Sequence, residues 1–267
     1  MGRVAVLQMN SSDNVKENLR NLGGFFSKAR DGGAELLVLP ENFAFMGLKP
    51  RDKLLIAEAP GQGEIQAAIS QLAKLYGLWV IAGSLFLSHT KTQVKASCMV
   101  YDDAGKNAAR YDKIHLFDAD VSEQEMHRES LTIARGEELV VVDTPVGRVG
   151  LSICYDLRFP ELYRQLAIRG AQLFTVPSAF TAITGAAHWE SLLRARAIEN
   201  LCYVLAANQG GEHTNGRRTH GHSMIVEPWG KIISEQTIGN GVVFADIDLQ
   251  RLQQLRQQLP SNDHHVL

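Results

Sequence analysis

Cysteine is scarce in this chain: Cys98, Cys154 and Cys202 are the only three, odd in number and with no Cys-x-x-Cys pair. That excludes a disulfide framework and leaves at least one thiol free for chemistry. Excess charge of either sign is lacking too. Lys and Arg total 27 against 29 Asp and Glu, a net charge of -2, so no strong field exists to hold nucleic acid or an anionic membrane. A small-molecule partner is expected instead. No apolar run approaches the roughly 20 residues that a helix needs to cross a bilayer. The opening, Met1-Gly2-Arg3-Val4-Ala5-Val6, lacks an apolar signal core and runs straight into a strand-like pattern, which makes the cytoplasm the expected location. A Gly-x-Ser-x-Gly elbow, a Walker loop and a Gly-x-Gly-x-x-Gly turn are also absent, and serine-hydrolase and nucleotide-binding readings go with them.

What is present is ordinary globular composition, 45% hydrophobic and 21% charged over 267 residues, which suits one domain spanning 1–267. Short apolar runs alternate with helical patterns, the mark of an α/β fold. Val4 to Met9 reads as a strand. A helix follows, capped by Asp13 and carrying Val15, Leu19, Leu22, Phe26 and Ala29 at helical spacing. Leu36 to Leu39 is a buried strand stopped by Pro40. The same rhythm predicts helices over 64–76, from Pro160 and over 188–200, with strands over 78–84, 98–101, 139–142, 151–153, 173–176, 203–207, 223–226 and 242–247.

Three reactive side chains follow strand-like segments: Glu41 after Leu36-Leu37-Val38-Leu39-Pro40, Lys113 after Arg110-Tyr111-Asp112, and Cys154 after Val149-Gly150-Leu151-Ser152-Ile153. Open α/β sheets place their sites at the carboxyl ends of strands. The three types are complementary. A thiol attacks a carbonyl only as it loses its proton, so it needs a base, which Glu41 would supply before returning the proton to a departing amine. Lys113 and the backbone N–H of Tyr155 would steady the oxyanion. Taken singly, each has a blander reading, as a core thiol, a rim acid and a surface lysine. Cys98 and Cys202 are expected to be core residues.

The words around these residues are Leu39-Pro40-Glu41-Asn42, Tyr111-Asp112-Lys113-Ile114-His115-Leu116-Phe117 and Cys154-Tyr155-Asp156-Leu157-Arg158-Phe159-Pro160-Glu161-Leu162. In this order they resemble the nitrilase superfamily of carbon-nitrogen hydrolases, over nearly the whole chain. The resemblance implies a four-layer α-β-β-α sandwich, a catalytic Glu41, Lys113 and Cys154, and a homodimer; no cofactor is expected. It also implies that Glu129 is a second acid orienting the lysine and the substrate amide, where residue type alone allows an exposed loop acid.

The segments 177–180, 184–190 and 193–199 resemble the branch that holds deaminated glutathione amidases and ω-amidases, which hydrolyse amides of α-keto dicarboxylic acids. That implies Arg158 beside the substrate carboxylate, with Phe180 and Thr184 lining the pocket. The alternative for Arg158 is an ion pair with Glu161 or Asp156. The segments 202–204 and 221–226 favour the deaminated glutathione branch, while nitrile and carbamoyl hydrolysis share the machinery. A catalytically silent binding protein is the rival class. The stretch 121–127 lacks the Pro-Gly turn of relatives, so the path to Glu129 is expected to differ. His213, His220 and His222 lie close in sequence but without zinc-like spacing, so no metal is expected there.

Overall fold

Alternation along the strands builds the layers. The structure is a computed structural model that describes residues 1–123, 125–264 and 266. Its first half runs β1 (Gly2–Gln8), α1 (Val15–Asp31), β2 (Leu36–Val38), α2 (Glu64–Tyr76), β3 (Trp79–Ser88), β4 (Val94–Tyr101) and β5 (Asn107–Asp112). A two-stranded excursion, β6 (Asp118–Ser122) and β7 (Glu125–Arg128), leads to β8 (Val141–Thr144). The second half runs β9 (Gly147–Leu151), α3 (Pro160–Ile168), β10 (Leu173–Thr175), α4 (Ala182–Asn200) and β11 (Tyr203–Ala206). The hairpin β12 (Gly210–Glu212) and β13 (Arg218–His220) follows, then β14 (Ser223–Val226), β15 (Ile232–Gln236), β16 (Gly241–Ile247) and α5 (Leu249–Gln258).

These strands form two six-stranded sheets, ordered β16-β1-β2-β3-β4-β5 and β15-β14-β11-β10-β9-β8. Each has an antiparallel edge, three parallel strands joined by two helices, then two antiparallel strands. The fold is therefore a topological duplication, although no sequence repeat of fixed period accompanies it.

On β1, Val4 and Val6 join the core shared with Val149 and Leu151 of the second sheet, while Ala5 and Leu7 join Leu22 and Phe26 of α1 and Ile65 and Ile69 of α2. A strand buried on both faces reads as a continuous apolar run, as 36–39 does. On the other side Phe174 meets Tyr163 of α3 edge to face at 5.1 Å. The expected α-β-β-α layering is what is observed. Among the described residues no helix is long and apolar enough to cross a membrane.

Several boundaries differ from expectation: the strand read over 151–153 runs Gly147–Leu151, and that read over 139–142 runs Val141–Thr144. Asn14, not Asp13, caps α1, its side chain accepting from Glu17 N at 3.1 Å. Helix α4 begins six residues earlier than predicted, because the Thr181 hydroxyl accepts from Thr184 N at 3.2 Å and carries the helix through Gly185. Strands β6, β7, β12, β13 and β15 and helix α5 carry no clear hydrophobic pattern, and of β5 only the segment 110–112 reads as strand-like.

At Gly83 a Cβ would lie 1.9 Å from the carbonyl oxygen of Pro40 and 2.5 Å from that of Leu39. Only glycine lets β3 approach the strand end that carries Glu41. Gly83→Ala is expected to cost about 1–3 kcal/mol or more through overpacking, seen as a lower thermal midpoint. An unchanged melting curve would contradict this contact.

Candidate active site

Lysine is a poor residue to bury, because its ammonium loses its water shell, and Lys113 is only 1% exposed. What makes this tolerable is two carboxylates. Lys113 Nζ lies 2.9 Å from Glu41 Oε1 and 2.9 Å from Glu129 Oε2. Burial by itself would lower the lysine, but Glu129, Glu41 and the nearby Cys154 hold its ammonium well above the usual lysine range. Burial works against the Glu129 charge as well, yet Lys113 and the Phe117 N–H, which donates to Oε2 at 2.8 Å, keep it below the usual carboxylate value. Glu129 is thus no exposed loop acid. It opens a 3-10 turn directly after β7, so the short excursion β6–β7 delivers it; Gln124, within the stretch expected to take an unusual path, lies outside the described residues.

Glu41 leaves β2 past Pro40 and is 4% exposed. Its second oxygen accepts from Ala179 N at 2.9 Å, and Gln209 Nε2 holds its backbone carbonyl at 2.9 Å. Ala179 follows β10 of the other sheet, so Glu41 is gripped from both halves. Cys154 follows β9 and is 6% exposed. Its φ is +48°, a left-handed conformation rare for a residue with a side chain and costing about 1–3 kcal/mol. The strain is held by the Cys154 N–H donating to Pro177 O at 2.8 Å. Burial and then the Glu41 charge push the thiol well above its usual range, while Lys113 and the Ala179 N–H pull the other way. The balance of these influences favours the protonated thiol.

One buried acid ties the lysine word to the cysteine word. Asp156 accepts from Tyr111 Oη at 2.7 Å, His115 N at 3.0 Å and Ile153 N at 2.8 Å, and meets His115 Nδ1 at 2.8 Å. Tyr111 and His115 flank Lys113, so Asp156 clasps that segment to the turn that carries the sulfur. The sequence reading quoted Asp156 but gave it no such role; its signal is its place between two words rich in hydrogen-bonding groups.

A pocket of about 10 Å³ adjoins the sulfur, lined by Phe117, Cys154, Tyr155, Arg158, Ala179, Phe180, Thr181 and Thr184. Arg158 pairs with neither Glu161 nor Asp156. Its guanidinium lies 5.7 Å from the Tyr155 ring centre and 5.4 Å from that of Phe180, and 3.3 Å from His188 Nδ1. Larger hollows of about 550 and 360 Å³, around Glu58 and around Arg256, do not border Cys154. The pocket holds about one water, so substrate entry requires the side chains of its rim to move.

The remaining candidates lie elsewhere. Cys98 and Cys202 are buried core thiols, Cys202 pushed up to about 11 by burial against Arg256. His213 is bonded to Ser11 O at 2.9 Å and Thr219 Oγ1 at 2.8 Å, and the His220 and His222 rings stack at 4.5 Å. Among the described residues no group of three His, Cys, Asp or Glu side chains could hold a metal ion.

The sequence profile described as carbon-nitrogen hydrolase matches residues 3–257. Curated relatives include the deaminated glutathione amidase of Yersinia enterocolitica, 41% identical over 98% of this chain and 92% of that protein. That of Rattus norvegicus is 44% identical over 98% of this chain and 81% of that protein. Among solved structures, the C. elegans NitFhit protein superimposes with a TM-score of 0.92 at 39% identity, covering 99% of this chain and 65% of that longer one. With the matched profile, these relatives and the shared fold together, the chain belongs to the carbon-nitrogen hydrolase family.

Proposed function

We propose that this hydrolase cleaves the amide bond of deaminated glutathione, N-(4-oxoglutaryl)-cysteinylglycine, to 2-oxoglutarate and cysteinylglycine through a thioester at Cys154. The observation that carries this reading is a buried acid–ammonium–acid cluster beside a strained thiol, opening on a pocket where Arg158 has no carboxylate partner among the described residues. The name shared by curated relatives at 41–44% identity supports the substrate.

The chemistry follows from the donors and acceptors in place. The sulfur attacks the carbonyl while Glu41 takes its proton, and the C–O π pair moves onto oxygen. An ammonium has three donors. Two of those on Lys113 are committed to Glu41 and Glu129, leaving the third for the oxyanion, with the Tyr155 N–H as second donor. Collapse of the intermediate breaks the C–N bond as Glu41 protonates the leaving nitrogen. Water then enters, Glu41 takes its proton, hydroxide attacks the thioester, and the sulfur leaves and recovers a proton. Arg158, with Phe180 and Thr184 beside it, supplies a planar fork for the keto-acid carboxylate.

The reading extends to the whole chain, 1–267, working as one domain in the cytoplasm on a small-molecule amide. It forms a homodimer through the face of α4 where Ile198 is 48% and neighbouring Trp229 57% exposed, against the Gly230 turn.

Four outcomes are expected. On a panel of keto-acid amides, ω-amides, nitriles and carbamoyl amino acids, deaminated glutathione gives the highest kcat/KM; preference for 2-oxoglutaramate would make the enzyme an ω-amidase. Glu41→Gln lowers kcat by about 10²–10⁴, since both half-reactions need the proton carrier; a smaller loss in either half-reaction, seen in pre-steady-state kinetics, contradicts that role. The Glu129 carboxylate is depressed from 4.5, so its stabilisation is full above that value and is lost as pH falls through the depressed one. Glu129→Gln is therefore less stable than wild type at neutral pH, and denaturation curves should show the gap closing only in acid. Ile198→Asp shifts sedimentation from dimer to monomer, and a dimer that persists would move the interface elsewhere.

A further inference from the structure

Two more cations stand near the site with no role in the reaction just described. Arg217 projects from the loop between β12 and β13, which His213 anchors by donating its backbone N–H to Arg217 O at 2.9 Å. Its Nη2 donates to Ala179 O at 2.5 Å, while its Nε is buried without a protein acceptor. Ala179 is the residue whose N–H holds Glu41, and it lines the pocket beside the sulfur. Lys53 comes from the 3-10 turn Asp52–Leu54. Its Nζ donates to Thr132 Oγ1 at 3.3 Å and lies 5.5 Å from the Phe86 ring centre. Thr132 N in turn donates to Glu129 O at 3.0 Å, so Lys53 stands over the Glu129 turn.

Among the described residues neither Lys53 nor Arg217 lies within ion-pair distance of a carboxylate, because the nearby Glu41 and Glu129 are already matched with Lys113. Burial lowers Lys53, the Glu129 and Glu41 charges offset part of this, and Lys113 and Arg217 add to the lowering. Half-buried cations without a carboxylate partner are better matched when an anion binds beside them.

The direction of the reaction says which part of the substrate that anion belongs to. Glu41 protonates the departing nitrogen, so the leaving group emerges on the side of Glu41 and Glu129. Arg158 stands with Tyr155 and Phe180 and serves the acyl side. We propose that Arg217 and Lys53 form a second carboxylate subsite, which binds the leaving amine through a carboxylate that the amine carries, as an amino acid or peptide would. This rests on the proposed amidase reaction and adds a leaving-group specificity to it. A free amide whose leaving group is ammonia gains nothing from this subsite.

The test holds the acyl group constant and varies the leaving group between cysteinylglycine and its C-terminal carboxamide. Wild type should favour the free acid in kcat/KM by about tenfold or more, the scale of one charge-assisted hydrogen bond, chiefly through KM. Arg217→Gln should bring that preference to within about twofold, as expected when the charge-assisted bond is lost. Lys53→Met, which leaves the Ala179 carbonyl contact intact, should reduce it in part and serves as the second variant should Arg217→Gln fail to fold. A wild type indifferent to the terminal charge, or variants that keep its full preference, would overturn the subsite. If oxoglutaryl amides prove inert while another acyl group is accepted, the substrate reading fails; the acid-to-carboxamide ratio on the accepted acyl group then decides the subsite.

Discussion

A single buried ammonium organises this protein. Lys113 is removed from water at the end of β5 and can remain charged there only because Glu41 and Glu129 reach it from two other segments. The energetic demand is steep. Removing one partner from a buried ion cluster typically costs about 3–5 kcal/mol, since the remaining charge is left unpaired. The cluster therefore forces β2, β5 and the turn after β7 to one point. In the proposed reaction the same ammonium is the cation that steadies the oxyanion, so the structural requirement and the chemical one would coincide in one group.

The duplicated sheets explain why the sulfur arrives at that point. Glu41 and Lys113 come from the first sheet, Cys154 from the second, and the hydrogen bond from Ala179 N to Glu41 crosses between them. Neither half contains a working constellation. Asp156 completes the junction by binding both flanks of Lys113 and the turn under Cys154. The left-handed backbone at Cys154 is tolerated because this clasp and the Pro177 carbonyl over-determine it.

Much of this was readable in the sequence. The buried strands 36–39, 173–176 and 203–207 stand out because both faces are apolar, and the words around Glu41, Lys113 and Cys154 point to the family. Other features leave no local trace. Strand β5 reads Asn107-Ala108-Ala109-Arg110-Tyr111-Asp112, of which only 110–112 reads as strand-like, since its partners and not its own apolarity hold the rest in place. The cap at Asn14 and the early start of α4 depend on which hydroxyl or amide finds a backbone N–H, a matter of a single residue. Lys53 and Arg217 lie far apart in sequence and carry no motif, so only the folded chain shows Arg217 on the Ala179 carbonyl beside Glu41 and Lys53 over the Glu129 turn.

In the proposed reaction the sulfur of Cys154 becomes acylated on the carbonyl that Lys113 polarises. Rapid mixing of enzyme with substrate, acid quench and peptide mass mapping reads this directly. A transient adduct of the acyl group's mass on the peptide that contains Cys154, appearing before steady-state product, is the predicted result. Steady hydrolysis with no such adduct, or an adduct on Cys98 or Cys202, would contradict it.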